Sequence, residues 1–151
     1  MLLTKECDYG FRIVRSLSNG EKKTVRTICE SELIPEKYAY KILKKMEKGG
    51  ILQAVRGRDG GYILTKDLNT FTIHDISVAV EETLYVFECL RKDKHCAFKE
   101  AGDGCAVHKE LDRIQGHLIA QMQARTMAEI IGEFEEDKEE NKEENKEEEN
   151  K

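Results

Sequence analysis

The sequence predicts a mainly helical fold with one short β-hairpin and a long helix towards its carboxyl end. Three observations support this prediction. Apolar residues recur every three or four positions along several segments, which is the pattern of amphipathic helices. Two short strand-like stretches flank the turn-forming run "GRDGG" at 57–61. Residues 135–151 hold ten acids, four lysines and no apolar residue, so we expect a disordered acidic tail there.

The charge of the chain is divided unevenly along its 151 residues. The total is −5, but residues 1–70 carry 14 basic and 9 acidic side chains, a net +5. This basic half is compatible with nucleic-acid binding, because the electrostatic field of the binding surface matters more than the net charge of the whole chain. No stretch is long and apolar enough to span a membrane, and charges throughout the amino terminus argue against a signal peptide. We therefore expect a cytoplasmic protein without a membrane partner.

The first 70 residues divide into three helices and a hairpin. Pro35 suits the start of the third helix, and Gly49 and Gly50 suit its end. Residues 59–61, Asp-Gly-Gly, are expected to supply the positive φ that a tight hairpin needs. Two helices, a basic helix and a hairpin in this order indicate a winged helix-turn-helix, in which the third helix enters the major groove of DNA.

The third helix and the hairpin tip carry the candidate DNA-contacting residues. Four lysines recur along one outer face of the helix, away from its apolar face. Phosphate contacts from such lysines position a protein on DNA, and Tyr38, Tyr40 and Lys41 are candidates for facing bases. Arginines at the tip of a wing suit the minor groove. The predicted DNA-binding residues are Lys37, Tyr38, Tyr40, Lys41, Lys44, Lys48, Arg56 and Arg58.

Two further helices are predicted after the hairpin. Residues 71–88 form a linking helix that Thr72 is placed to cap, and residues 106–134 form a helix of nearly 30 residues. The long helix has more apolar positions than one small domain needs, so we expect it to cross a second copy and form a homodimer. A two-fold dimer suits a near-palindromic operator in double-stranded DNA.

Three cysteines lie in a polar segment, residues 89–105, whereas structural cysteines usually lie among apolar neighbours. Cys89, Cys96 and Cys105 follow the pattern C-x6-C-x8-C, and His108 comes three residues after the last of them. These gaps exceed those usual between zinc ligands. Iron–sulfur clusters accept thiolates, sometimes with histidine, at irregular spacing. The spacing is also compatible with an alternative in which the three thiols act as a disulfide-forming redox switch.

Four features together resemble one known family. They are "LTKECDYGFRIVRSL" at the amino terminus, "VRGRDGGYIL" at the hairpin, "TIHDISVAVE" in the linking helix, and three cysteines before a long helix. Over residues 1–134 the chain resembles the Rrf-two family of iron–sulfur transcriptional regulators, of the IscR and NsrR types. The resemblance implies a homodimeric winged-helix repressor or activator. It also implies a 2Fe–2S or 4Fe–4S cluster ligated by Cys89, Cys96 and Cys105.

The resemblance leaves more than one candidate for the fourth ligand of the cluster. His108 matches the histidine that completes the 2Fe–2S site of IscR-type members. Asp8 matches the aspartate, donated by the other subunit, that completes the 4Fe–4S site of NsrR-type members. His95 is a third candidate. The gap between the first two cysteines is longer than the family's usual gap, so the cluster type stays open, and Tyr40 departs from the better-known recognition helices, so the operator sequence does not transfer.

Two other functions are compatible with the sequence. A cluster-free regulator of the same fold would respond to thiol oxidation or to a partner protein. A small redox or cluster-carrier protein would have a basic helix that does not act on DNA. The sequence contains no catalytic triad pattern, no phosphate-cradling glycine loop and no paired carboxylates in an apolar setting, so we expect no enzyme activity.

Overall fold

The computed structural model describes residues 4–81, 84–96, 98 and 105–133. The described helices are α1 (Lys5–Ser16), α2 (Val25–Glu32), α3 (Glu36–Lys48), α4 (Ile73–Glu81), α5 (Ala106–Gln123) and α6 (residues 127–133). Strands β1 (Leu52–Val55) and β2 (Gly61–Leu64) form an antiparallel hairpin. Single 3-10 turns cover Leu68–Thr70 and Glu88–Leu90. The predicted mainly helical fold with a hairpin wing is confirmed, and the predicted acidic tail lies outside the described residues. Within the described ranges, no helix is long and apolar enough to cross a membrane.

The core lies where α1, α2, α3 and α4 meet. Thr4 caps α1, because its hydroxyl accepts a hydrogen bond from the Glu6 backbone N–H. The apolar faces read from the sequence point inward, and the two cysteines on them, Cys7 and Cys29, are buried there. Burial raises the pKa of both thiols, because it disfavours the thiolate. These two cysteines are therefore inert core residues.

The recognition helix α3 packs closely on α4. A Cβ atom built on Gly49, at the end of α3, would lie 2.7 Å from the Cβ of Ala79. Real side chains do not approach so closely, so only glycine permits this contact. The end of α3 is thereby fixed against the helix that leads towards the thiol-bearing segment.

The turn between α2 and α3 has an unusual conformation. Leu33 adopts a left-handed backbone, φ 54° and ψ 44°, and Ile34 donates its N–H to the carbonyl of Cys29 at 3.1 Å. This arrangement closes the end of a helix and is normally formed by glycine. A leucine costs about 1–2 kcal/mol in this region. Ile34 is buried in the core, whereas Leu33 is 80% exposed.

The hairpin differs from its prediction in the position of the positive φ. It occurs at Gly57, φ 125°, and not within residues 59–61. Gly57 opens a tight turn in which the Gly60 N–H donates to the Gly57 carbonyl at 3.1 Å. Gly61 is needed for a different reason. Tyr62 and Lys23 exchange backbone hydrogen bonds of 2.8 and 3.1 Å, and a Cβ on Gly61 would lie 2.5 Å from the carbonyl oxygen of Lys23. The wing is thus joined edge to edge with the segment that precedes α2.

The long carboxyl-terminal helix predicted over residues 106–134 is wrong as one continuous helix. Helix α5 ends at Gln123, and the chain then meets the residues before α4. Thr126 forms an isolated bridge with Thr72, and the Met127 N–H donates to the carbonyl of Phe71 at 2.9 Å. Tertiary pairing with a remote segment therefore interrupts the helix.

A local signal for this break exists in the sequence. Thr126 and Glu129 form a capping box, in which each side chain accepts a hydrogen bond from the other's backbone N–H. The capping box starts α6, which returns to the body of the molecule, where Met127 and Ile131 are buried in the core. Part of the apolar face expected to meet a partner subunit therefore packs on the chain's own core.

Helix α5 keeps an apolar face that its own chain leaves open. Val107 is 65% exposed and Ile114 is 40% exposed, and the buried residues of the helix are Gln115 and Met122. This face is where the sequence predicts a second copy to pack.

Candidate nucleic-acid interface and candidate metal centre

The outer face of α3 is basic and open. Its buried side consists of four core residues, Ala39, Ile42, Leu43 and Met46. On the opposite side the exposed residues are Lys37, Tyr40, Lys41, Lys44 and Lys48. The 3.6-residue period of the helix separates the two sets, because the lysines fall on the side away from the core. A helix with this face can enter a major groove with cations directed at phosphates.

Lys41 is held by an acid that the sequence did not indicate. Its Nζ lies 2.5 Å from Oε1 of Glu6, and Nζ of Lys45 lies 2.8 Å from Oε2 of the same residue. Hydrogen bonds from these two lysines lower the pKa of Glu6. Lys41 therefore belongs to an ion-pair network between α1 and α3, and a base contact would require it to leave Glu6.

The two predicted base-facing tyrosines have different surroundings. Tyr38 packs towards α1, with its ring centre 5.9 Å from that of Tyr9, and Lys37 Nζ lies 4.9 Å from the ring centre of Tyr38. Tyr40 is 56% exposed and lies on the side of the wing. Burial raises the pKa of Tyr62 on β2, with Glu47 and Tyr40 adding to the shift. Tyr40 is thus the more accessible of the pair.

Arg56 and Arg58 lie at the tip of the wing. Arg56 follows β1 directly, and both side chains are exposed. The chain reverses over residues 57–60, where the Gly60 N–H donates to the Gly57 carbonyl at 3.1 Å, so Arg58 lies within the turn and Arg56 just before it. This is the position from which a wing reaches a minor groove.

The three predicted thiol ligands lie at the edges of the segment before α5. Cys89 is in the 3-10 turn Glu88–Leu90, and Cys105 is the residue before α5; these two and Cys96 are half-buried. Residue 97 and residues 99–104 lie outside the described chain. Among the residues that are described, no group of three or more His, Cys, Asp or Glu side chains is gathered so that it could hold a metal ion.

His108 lies in the first turn of α5, next to Cys105. Its Nδ1 atom is buried and has no hydrogen-bond partner among the described residues. A buried nitrogen without a partner is costly, and native proteins usually satisfy such an atom. Thiolates together with an imidazole nitrogen form a donor set suited to an iron–sulfur cluster. The residues present therefore fit the group that the sequence resemblance implies.

Asp8 has a different environment. It accepts hydrogen bonds from Arg12, one turn further along α1, at 3.0 and 3.2 Å. It borders a groove between α1 and α6 whose described lining includes Phe11 and Ile130 and none of the three loop cysteines. Within one chain, the described structure does not bring Asp8 to the thiols. His95, the third candidate, is exposed.

Gln115 is a site residue that the sequence analysis did not select. Its side chain is buried on α5, where Oε1 accepts the Val86 N–H at 2.6 Å and Nε2 donates to the carbonyl of Leu84 at 2.9 Å. These bonds attach the chain that enters the thiol-bearing segment to α5. A polar residue on a mostly apolar helix face was the only available signal.

The comparisons decide the family. A family model described as an iron-dependent transcriptional regulator, Rrf2, matches residues 3–133. The chain belongs to the Rrf2 family. Its relatives include Protein aau3 of Rhizobium meliloti strain 1021, which is 25% identical over 134 residues, covering 87% of this chain and 85% of the relative. The members of this family are transcriptional regulators with a DNA-binding fold, and they are not enzymes.

Two solved structures show the same fold. IscR of T. potens has a TM-score of 0.68 at 18% identity, with 90% of each chain covered. The oxidised form of CymR from Staphylococcus aureus has a TM-score of 0.65 at 18% identity, covering 87% of this chain and 96% of the other. At these identities the likeness shows the winged-helix architecture alone.

Proposed function

We propose that this Rrf2-family protein is a homodimeric transcriptional regulator whose DNA binding responds to an iron–sulfur cluster. The thiolates of Cys89, Cys96 and Cys105 would hold the cluster. The observation that carries the proposal is the buried Nδ1 of His108, one turn from Cys105, for which the described part of the chain offers no hydrogen-bond partner. The family description as iron-dependent supports it.

The DNA-reading residues divide into three groups by their surroundings. Lys44 and Lys48 on the open face of α3 would contact phosphates and fix the position of the protein on the duplex. Tyr40, exposed beside them, is the better candidate for a base edge. Arg56 and Arg58 would enter a minor groove from the wing tip, where a narrow groove attracts arginine.

His108 is the proposed fourth ligand. It shares the amino-terminal end of α5 with Cys105, and a buried Nδ1 that no described residue satisfies fits a metal ligand better than it fits a core position. Asp8 already accepts hydrogen bonds from Arg12, and it would need to come from the partner subunit. A bound 2Fe–2S or 4Fe–4S cluster would supply sensitivity to oxygen, nitric oxide and iron supply.

The chain has a route by which ligation can influence DNA binding. Thiolate ligation would order residues 89–105, and Gln115 attaches the start of this segment to α5. Helix α5 meets α4, and α4 packs on both α1 and the recognition helix. A coupling of roughly 1–3 kcal/mol between the two sites would change operator affinity by about 5–150-fold.

The open apolar face of α5 supports the homodimer. Val107 and Ile114 are exposed on it, and a second copy packed there by two-fold symmetry would bury both. Such a dimer would present two copies of α3, so we propose a near-palindromic operator in double-stranded DNA.

The test is a visible absorption spectrum of protein purified without oxygen, with iron and sulfide assayed on the same sample. We expect absorption in the visible range with iron matched by sulfide, and loss of both in Cys96→Ala. Cys29→Ala is the matched control, because that thiol is buried in the core. A changed spectrum in His108→Ala, with Asp8→Ala unaltered, would assign the fourth ligand; the reverse result would assign Asp8.

Thiol oxidation is the second candidate function, and the likeness to a CymR structure solved in an oxidised form favours it. A colourless, iron-free protein that does not take up a cluster on reconstitution would reject the cluster. If operator affinity then changed on mild oxidation, and Cys96→Ala abolished that change, the three thiols would be the sensor themselves.

A further inference from the structure

Leu33 carries two unfavourable features at once. Its backbone is left-handed, φ 54°, which leucine rarely adopts, and its apolar side chain is 80% exposed. Glycine would form the same turn without strain and without exposed apolar surface. Folding therefore gives no reason for a leucine at this position, and strain of this kind gathers at functional sites.

The turn directs Leu33 outward as a consequence of its geometry. Ile34 donates its N–H to the carbonyl of Cys29 and is 3% exposed, so the turn buries Ile34 and turns Leu33 away from the core. Leu33 lies two residues before Pro35, at which α3 is capped. The first residues of a recognition helix are those that contact base edges. Leu33 is thus at the leading edge of the helix that would enter the groove.

The surroundings of Leu33 restrict the partner. The same end of α3 presents exposed Lys37, Tyr38 and Tyr40 beside one exposed acid, Glu36, and the lysines further along the helix make its outer face basic enough to meet a polyanion. A partner that buries the exposed leucine side chain must present an apolar group to it, although the rest of that partner is anionic and polar. In the major groove, thymine alone presents such a group, its C5-methyl.

We infer that Leu33 is a specificity residue that contacts a thymine C5-methyl group in the major groove of the operator. The inference rests on the proposed reading of DNA by α3. It adds a residue from the turn, which the sequence pattern of the helix does not single out. It also explains why the turn keeps a strained leucine in place of glycine.

The experiment compares matched variants on matched DNA. An operator is first selected from random duplex DNA with the full-length protein. Each thymine of the selected site is then replaced singly by deoxyuridine, which removes only the methyl group. Leu33→Asn accepts the left-handed backbone and lacks an apolar end, whereas Leu33→Met keeps the apolar end. Binding is measured for the parent and both variants on every duplex.

We expect at least one thymine whose replacement weakens binding of the parent and of Leu33→Met about 4-fold, as for one methyl group returned to water. Leu33→Asn should bind the unmodified operator several-fold more weakly and should not distinguish thymine from deoxyuridine there. Urea unfolding of Leu33→Asn should be no easier than that of the parent, which separates the contact from a folding defect.

The other outcomes overturn the inference in different ways. Equal sensitivity of the parent and Leu33→Asn at every thymine would reject the methyl contact while leaving DNA binding intact. A changed oligomeric state in Leu33→Asn would assign the residue to an interface between copies. Failure of the parent to select any sequence would reject the DNA-reading function, and with it any role of Leu33 in specificity.

Discussion

Replacement of Gly61 by alanine is expected to destabilise the protein, although it adds a single methyl group. The new Cβ would lie 2.5 Å from the carbonyl oxygen of Lys23, so the wing must move away from the segment before α2. The movement removes or stretches the two backbone hydrogen bonds between Lys23 and Tyr62, of 3.1 and 2.8 Å. The neighbour is backbone and cannot rotate aside as a flexible side chain would.

The expected size follows from these contacts. Each hydrogen bond contributes about 1 kcal/mol, and forcing a methyl group into a filled site costs about 1–3 kcal/mol. We therefore expect the free energy of unfolding to fall by about 3–5 kcal/mol if both bonds are lost, a large part of the 5–15 kcal/mol typical of a domain. Urea denaturation followed by far-UV circular dichroism measures it, at one fixed protein concentration, because a dimer's stability depends on concentration.

The same substitution at Gly116 is the control. This glycine lies in the interior of α5, and a Cβ there would have no heavy atom within 4 Å. Alanine should stabilise the helix by about 0.5–1 kcal/mol, because it restricts the unfolded chain and favours helix. A Gly61→Ala protein as stable as the parent, or shifted in the same direction as Gly116→Ala, would refute the reasoning about close approach.

Three further predictions follow from the ion pairs and hydrogen bonds. Glu6→Gln removes a carboxylate whose pKa is lowered in the folded state. The ionised carboxylate stabilises the fold at pH values above the ordinary carboxyl pKa, so the variant should be less stable than the parent there. The urea midpoints of the two proteins should converge as the pH falls through the folded-state pKa of Glu6. Gln115→Ala should lower the free energy of unfolding by about 2 kcal/mol, because two backbone groups lose their partner. Lys48→Ala should reduce the slope of log binding constant against log salt by about 1 without changing sequence preference.

Two control variants lie on the exposed side of α5. Gln121→Ala on the exposed side of α5 should leave the urea midpoint near that of the parent. Lys109→Ala, also exposed on α5, should leave the salt slope unchanged. A pH-independent difference for Glu6→Gln would show that the lost packing, and not the charge, matters.

Local patterns were sufficient for most of the elements. The start of α1 at Thr4, the apolar face of α3 and the hairpin around residues 57–61 each depend on residues a few positions apart. Caps and turns depend on residues a few positions apart, and the period of the apolar positions can be read within a single helix or strand. For the same reason the sequence placed the lysines of α3 on an exposed face.

The errors came from contacts between remote residues. The single long helix failed because Thr126 and Met127 pair with the segment before α4, although the capping box at Thr126 was a usable warning. Lys41 stays a predicted DNA contact, but no local pattern indicated that Glu6, 35 residues away in sequence, pairs with it. Gln115 bonds to Val86 across 29 residues, and no local rule selects either partner.

The sequence by itself determined the fold class, the resemblance that led to the family, and which residue types are available for DNA and for a cluster. These depend on periodicity, turn chemistry and the spacing of cysteines, all of which are local in the chain. Only the tertiary structure decided that α6 returns to the core, that Glu6 pairs with two lysines of α3, and that Nδ1 of His108 is buried without a partner among the described residues. Burial and pairing are properties of surfaces brought together by folding, so no stretch of sequence specifies them alone.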